Sequence, residues 1–554
     1  MKQKVTVLLI CAAGLSSSIL MKRMKESLSE EEDWTIDASG LRDLPNIVAK
    51  YDAILVAPQV QYAMNQITET AKPFDGIMVL PIDAKDYASG NGKAVNEMVR
   101  NAYAGSVKTE GGKENMSEQK TTFMEKLSAW MEKYIVPVGL KISNQRHLSA
   151  VRDGLTILIP ATIVGGFAIL LAVPPIPATI TEPSNIFYAA LLAWKSFAGK
   201  YAATLMIPYY LTIGIISLYV VCGVSYQLAV SYKMNGLNNM ISALLVYLCV
   251  SGAFDLSTAS LQSGMLGAGY MFSAMLIACI VVEVNRFFQE HNITIKLPDT
   301  VPPNVAAPFN VLLPLVFNIV VLMAVDALLI KLTGAGLAKL VYTVFQPLMR
   351  ATGSLPSVLL INFLMTTFWF FGIHGANMLS VVTSPITTAA LAANAEAYVA
   401  GETLPFIYAG AMNSVFGNWI TYNVILLVIF LFCKSNQARS VAKVAIVPSL
   451  FNINEPSIFG LPTVLNVYTY IPLIICSFVN CTTYYICASL NIVGRFYLTL
   501  PFTVPGPLQA FLATGDFKTV ILWFLLFLVD IPIVYPFIKT YDNQLVKQEA
   551  ENEA

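Results

Sequence analysis

Along the first hundred residues, apolar runs are short and alternate with charged segments. Lys4–Ile10 (KVTVLLI) predicts a buried strand, and Ser16–Glu31, with its basic and acidic residues on one face, predicts a helix. Two further runs, Asp52–Ala57 (DAILVA) and Gly76–Leu80 (GIMVL), are separated by helical segments near Tyr62–Thr70 and Lys93–Tyr103. Strands alternating with helices at this spacing predict a small, doubly wound α/β domain with a parallel sheet.

The pattern then breaks. Ala104–Lys120 (AGSVKTEGGKENMSEQK) is polar, contains glycine and has no apolar period, which predicts a flexible tether. Phe123–Gln145 mixes apolar residues with Glu, Lys and Trp, as in a helix lying along a membrane surface. Beyond it, charge-free runs long enough to cross hydrocarbon occur at 155–173, 202–232, 234–254, 256–282, 301–325, 351–373, 403–433 and 456–494, and another begins at Thr519–Val529. With nearly two crossings allotted to 456–494, the expectation is a polytopic α-helical membrane domain of about ten spans. Re-entrant segments are expected where Pro and Asn interrupt the apolar runs. The expected division is 1–104 for the α/β domain, 105–120 for the linker, 121–542 for the membrane domain and 543–554 for a polar tail. Lys434, Arg439 and Lys443 form a basic loop that the positive-inside bias assigns to the cytosol, together with the N-terminal domain.

Composition agrees with this division, since 56% of the 554 residues are hydrophobic and only 12% charged. The 34 basic and 34 acidic residues cancel, so no global field favours nucleic acid. The short apolar core of Met1–Ile10, without a cleavage pattern, argues against a signal peptide. Seven of the eight cysteines lie in apolar segments, and no spacing suggests a disulfide framework or a zinc site, so no metal or cofactor is expected.

Cys11 is the exception. It follows the first strand and opens the loop Cys11, Ala12, Ala13, Gly14, Leu15, Ser16, Ser17, Ser18, which runs into a helix. Gly14 lets the backbone curl, the serines offer hydroxyls, and the free N–H groups of a helix start form a cradle for a dianion. The same positive end favours the thiolate. Two other readings stand beside this one: a buried strand-end thiol, and a phosphatase loop. A phosphatase loop normally ends in an Arg that grips phosphate, but Ser17 occupies that position, which favours holding and passing on a phosphoryl group over hydrolysing it.

Three pieces of this domain, VLLICAAGLSSSIL, AILVAPQVQY (Ala53–Tyr62) and PIDAKDYASGNG (Pro81–Gly92), resemble the B component of the lactose/cellobiose family of enzyme II in the phosphoenolpyruvate-dependent sugar phosphotransferase system. The resemblance implies that Cys11 is a phosphocysteine and that Ala12 to Ser18 form its phosphate loop. Gln59 and Tyr87 fall in other segments of that family.

In the apolar half, Trp369-Phe-Phe-Gly-Ile-His374-Gly-Ala-Asn377 and Phe451-Asn-Ile-Asn454-Glu455-Pro456 place ionisable groups in or beside spans, where their cost makes them candidates for a ligand site. Sugar recognition needs carboxylates and amides for hydroxyls and aromatic faces for C–H surfaces. His374 taken alone reads first as an interhelical hydrogen bond. Glu455 sits between Asn454 and Pro456, where the backbone is expected to break as it does in midplane transporter sites. Asn413, Asn418 and Asn423 read as helix bridges. These segments, with Asn144–Gly154 and Pro501-Phe502-Thr503-Val-Pro505, are similar to the C component of the same family, so that the match covers nearly the whole chain. The resemblance implies that His374 and Glu455 face the sugar, with Trp369, Asn377, Asn454, Phe502 and Thr503 as further candidates. Phe502 stands where the family often has Trp.

The implied activity is sugar uptake coupled to phosphorylation. A separate phosphohistidine protein, the A component, charges Cys11, and the phosphoryl group passes to a β-linked disaccharide such as cellobiose or lactose, with Glu455 as base. His147 and His291 lie in no phosphohistidine context. A homodimer through the C domain in the bacterial cell membrane is also implied. The rival is an ion-coupled permease with a fused regulatory domain, in which Glu455 is the ion site.

Overall fold

A computed structural model describes residues 4–553 apart from 12–13, 30–31, 41–43, 58–59, 61–63, 75, 84–85, 88–90, 106–144, 175, 177–180, 184, 294, 296–308, 310, 372 and 462–465. Of Cys11, 14–19 and Glu455 it describes the backbone only. The expected tether and the surface helix over 123–145 therefore lie outside the described residues, except at their ends.

The N-terminal domain runs β1 (Lys4–Cys11), α1 (Gly14–Glu26), β2 (Asp33–Gly40), β3 (Ala53–Val56), α2 (Met64–Ala71), β4 (Met78–Pro81) and α3 (Gly92–Gly105). All strands are parallel, in the order β2-β1-β3-β4. Val7, Leu8, Leu9 and Ile10 of β1 are fully buried, as a central strand covered on both faces requires. β2 has no counterpart in the sequence expectation. It is an edge strand in which Ile36 alone is buried, so DWTIDASG lacks the apolar run that marks its neighbours.

Polar contacts fix the rest of this domain. At the amino edge of the sheet, the backbone N–H and hydroxyl of Thr6 both donate to Asp52 Oδ2 at 2.9 Å. The first turn of α3 meets the last turn of α1 so closely that a Cβ on Gly92 would lie 2.3 Å from Met24 N. Asn96 Nδ2 then donates to Met24 O at 2.8 Å. Arg100 clasps Glu32 with two bonds of 2.8 Å, with its guanidinium 5.8 Å from the centre of the Trp34 ring. That guanidinium lowers the Glu32 carboxyl to about 2.

The second body is helical. Among the described residues, seven helices are long and apolar enough to cross a membrane, or nine if two bent pairs each count as one span. The expectation of about ten spans is thus not reproduced. The run 155–173 belongs to a pair, α4 (Arg146–Ile157) and α5 (Ile159–Ala172), bent by 43° where Pro160 starts the second helix. Helix α6 (Ile186–Leu205) has no counterpart among the expected spans. There follow α7 (Ile216–Ser231), the 15-residue α8 (Gly236–Val250), α9 (Met271–Glu290) and α10 (Leu312–Thr333). Helices α11 (Leu337–Thr352) and α12 (Leu355–Phe370) form the second bent pair, at 68°.

Helix α13 (Gly375–Val399) qualifies as a span and has no counterpart among the expected runs, the nearest of which stops at residue 373, just before His374. Glu396 Oε1 accepts from Ala268 N at 2.6 Å, which gives the carboxylate a local partner. Next come α14 (Asn418–Phe432), α15 (Asn436–Leu450) and the six-residue α16 (Glu455–Gly460). The stretch 456–494 holds one long helix, α17 (Val467–Ser489), rather than nearly two. After α18 (Gly506–Thr514), the final helix α19 (Phe517–Glu553) continues through residues expected as a polar tail. Glu549 there accepts from Ser435 Oγ at 2.8 Å and Gln437 N at 2.9 Å, capping the start of α15.

Candidate functional site

The order β2-β1-β3-β4 means that the chain leaves β1 toward one side and later returns to the other, so the carboxyl ends of β1 and β3 flank the switch point of the sheet. Open α/β sheets bind ligands in the crevice at that point. Cys11 is the last residue of β1, in register with Gly40 of β2, and Ala57 N donates to Ile10 O at 3.0 Å beside it. Helix α1 begins at Gly14, two residues earlier than expected, so Gly14, Leu15, Ser16, Ser17 and Ser18 belong to its first turns rather than to a loop. The first turn holds no acidic residue, so no carboxylate of its own competes for its amide groups. Ala12, Ala13, Gln59 and the side chain of Cys11 lie outside the described residues. Tyr87 follows β4 as a buried residue, 4% exposed.

In the membrane domain, His374 is the N-cap of α13. Its Nδ1 accepts from Asn377 N at 3.2 Å. That bond fixes the neutral tautomer with hydrogen on Nε2, leaving Nε2–H as a donor for a ligand. The ring packs on Trp369, centroid to centroid at 4.3 Å, giving an aromatic face beside that donor. Gly375 is demanded sterically, since a Cβ there would lie 2.2 Å from Met365 O on α12. Asn377 is exposed, and its backbone rather than its amide serves the cap.

The segment carrying Glu455 is built by a break between α15 and α16. Pro448 lies in the last turn of α15 and Asn452 takes a left-handed φ of 61°. Pro456 then starts α16, which packs back against α15 so closely that a Cβ on Gly460 would lie 2.6 Å from Val441 Cγ1. This agrees with the expected break around Glu455, whose side chain is outside the described residues. Asn454, just before it, accepts from Ser449 Oγ at 2.6 Å and donates to Asn452 Oδ1 at 3.3 Å.

Hydrogen bonds join these segments. Asn418 Nδ2 donates to Thr366 Oγ1 on α12 at 2.8 Å, and the adjacent Trp419 Nε1 donates to Ser449 O at 2.7 Å. Asn452 Nδ2 reaches Phe502 O at 3.4 Å. The end of α12, the start of α14, the α15–α16 break and the Phe502 turn therefore form one connected network. Phe502 is 60% exposed and Thr503 half-buried in that turn. Trp419 and Ser449 had no part in the sequence expectation, because their bond spans 30 residues. Asn413 and Asn418 bridge helices as expected, Asn362 Nδ2 donating to Asn413 Oδ1 at 2.5 Å, whereas Asn423 Nδ2 bonds Trp419 O within its own helix.

Residues 152–477 match the family described as phosphotransferase system, EIIC, and residues 6–97 match the lactose/cellobiose-specific IIB subunit. A putative permease IIC component, YwbA, of Bacillus subtilis is 33% identical over 76% of this chain and 97% of its own length. The lactose-specific EIICB component of Staphylococcus epidermidis is 33% identical over 77% of this chain and 73% of its own. The crystal structure of ChbC, the IIC component of the N,N′-diacetylchitobiose-specific system, superposes with a TM-score of 0.68 at 28% identity, covering 76% of this chain and 99% of that one. The chain therefore belongs to the EIIC family of the phosphotransferase system, with a lactose/cellobiose-type IIB domain ahead of the EIIC part, and is a multi-pass membrane protein that transports and phosphorylates sugar.

Proposed function

We propose that Cys11 is the phosphoryl carrier and that the acceptor is a β-linked disaccharide held in the membrane domain. The observation that carries this reading is the position of Cys11 at the carboxyl end of the central strand, at the switch point of the sheet, three residues before Gly14 opens α1. A thiolate there attacks the phosphorus of a phosphohistidine on a separate A component. The N–P bond breaks, an S–P bond forms, and the histidine leaves as neutral imidazole once protonated. In the second step a sugar hydroxyl, taken as O6, attacks the thiophosphate while Glu455 accepts its proton, and the thiolate is regenerated. The free N–H groups at the start of α1, from Gly14 to Ser16, steady the phosphoryl oxygens.

His374 Nε2–H orients the sugar against Trp369, with Asn377, Asn454, Phe502 and Thr503 as further candidate contacts. Relatives are named for lactose and N,N′-diacetylchitobiose, both β-linked disaccharides, which supports that class. The N-terminal domain lies in the cytosol of a bacterium, its tether holds the donor at high effective concentration, and the protein pairs through its C domain in the cell membrane. An ion-coupled permease is not favoured, because it gives the matched IIB domain no role.

The test is reconstitution of the full chain in vesicles with the phosphorylated A component and a panel of labelled β-disaccharides. The expected result is sugar phosphate inside the vesicles, formed only with the phosphodonor and unaffected by collapsing ion gradients. Accumulation of unmodified sugar that depends on an ion gradient contradicts the reading.

A further inference from the structure

Asp530 is a fully buried carboxyl group on α19 that the phosphoryl transfer does not use. Its Oδ2 accepts from Thr421 Oγ1 on α14 at 2.9 Å and from Asn480 Nδ2 on α17 at 3.0 Å. The Cys476 thiol, also on α17, faces the same carboxyl. Among the described residues no Lys, Arg or His pairs with Asp530. Two oxygens are left over, Asp530 Oδ1 and Asn480 Oδ1, both buried and both without a hydrogen-bond partner. Thr421 and Asn480 are themselves fully buried, so no solvent reaches the cluster through them.

Two orphan acceptors on buried side chains already joined by one hydrogen bond require a donor or a cation. A bare carboxylate held by neutral donors alone, at membrane depth, is the costliest arrangement. A hard cation takes about six oxygens, far more than the two available. One hydrogen satisfies both orphans. We propose that Asp530 binds a single proton on Oδ1 and donates it to Asn480 Oδ1, closing a reciprocal ring in which acid and amide each donate once and accept once. The ring fastens α19 to α17, and the Thr421 bond adds α14, whose first turn carries the Asn418 and Trp419 that steady the Thr366 and Ser449 sides of the site.

The test uses the full chain and the variant Asp530→Asn. The new amide donates to Asn480 Oδ1 and keeps the same two bonds on its own oxygen, so folding yield, thermal midpoint and sugar phosphorylation are expected to match the parent, the rate to within about twofold. Asp530→Ala leaves the amide of Asn480 unpaired, and its thermal midpoint is expected to drop. Infrared spectra supply the direct readout: a protonated-carboxyl C=O band present in the parent and missing in Asp530→Asn supports the proposal. Absence of that band overturns it, and so does failure of Asp530→Asn to fold. Transport that depends on sodium in the parent and is lost in Asp530→Asn also overturns it, in favour of a cation site.

Discussion

In the N-terminal domain the proposed reactive position lies where a parallel strand ends and a helix begins. In the membrane domain it lies where one helix stops early and a short one turns back. The first device relies on sheet topology: the strand order switches between β1 and β3, and Cys11 sits at the carboxyl end of β1 at that point. The second relies on individual residues, with Pro448, the left-handed Asn452 and Pro456 opening the backbone and Ser449, Trp419 and Asn454 holding it open. A site defined by topology tolerates change around it but not at the nucleophile. A site defined by a side-chain network is sensitive at its supports as well as at its chemical groups.

Substitutions sharpen this contrast, beginning with the largest expected effect. Cys11→Ser lowers phosphoryl transfer to sugar by about a thousandfold or more, while sugar binding to the membrane domain, read by equilibrium binding, is unchanged. Glu455→Gln lowers the transfer rate by roughly 10²-fold, the range of a lost general base, yet leaves charging of Cys11 by the A component intact. Loss of charging in Glu455→Gln would break the division between the two centres. Gly375→Ala forces a methyl against Met365 O and is expected to destabilise the membrane domain by about 1–3 kcal/mol, measured as a lowered thermal midpoint.

His374→Asn is a finer instrument, because Asn is a good N-cap and preserves the start of α13 but removes Nε2–H. Its expected effect is a KM for sugar raised by roughly tenfold, or about 1.4 kcal/mol, with little change in stability. A lowered thermal midpoint with unchanged KM indicates a structural cap alone. The smallest effect concerns Glu32, whose carboxyl is held at about 2 by Arg100, below its ordinary 4.5. The folded state prefers the ionised form, so the contribution of the pair is complete above about pH 4.5 and is lost as pH falls toward 2. Acid titration of the domain followed by circular dichroism should show this decline in the parent and a flatter profile in Glu32→Gln.

How much was legible in the sequence follows from the same physics. Val7–Ile10 announces β1 because a strand buried on both faces must be apolar throughout, and the Cys11 position follows from the strand end. β2 was hidden because an edge strand with one buried residue, Ile36, has no such requirement. Asn454, Glu455 and Pro456 disclose the helix break through local backbone preference. The span α13 was missed because the expected run ended just before His374, which is the N-cap of a new helix rather than the end of the apolar stretch. The Trp419–Ser449 support was equally silent, since no local pattern tells an indole N–H which carbonyl it will meet.

Everything proposed for transport turns on a covalent intermediate. The most direct measurement is intact-mass and peptide analysis of the full chain after incubation with the phosphorylated A component and no sugar. The account predicts one added phosphoryl group, localised to Cys11, that disappears when a substrate disaccharide is supplied. Phosphate found on another residue, or sugar phosphate formed while Cys11 never carries phosphate, contradicts it.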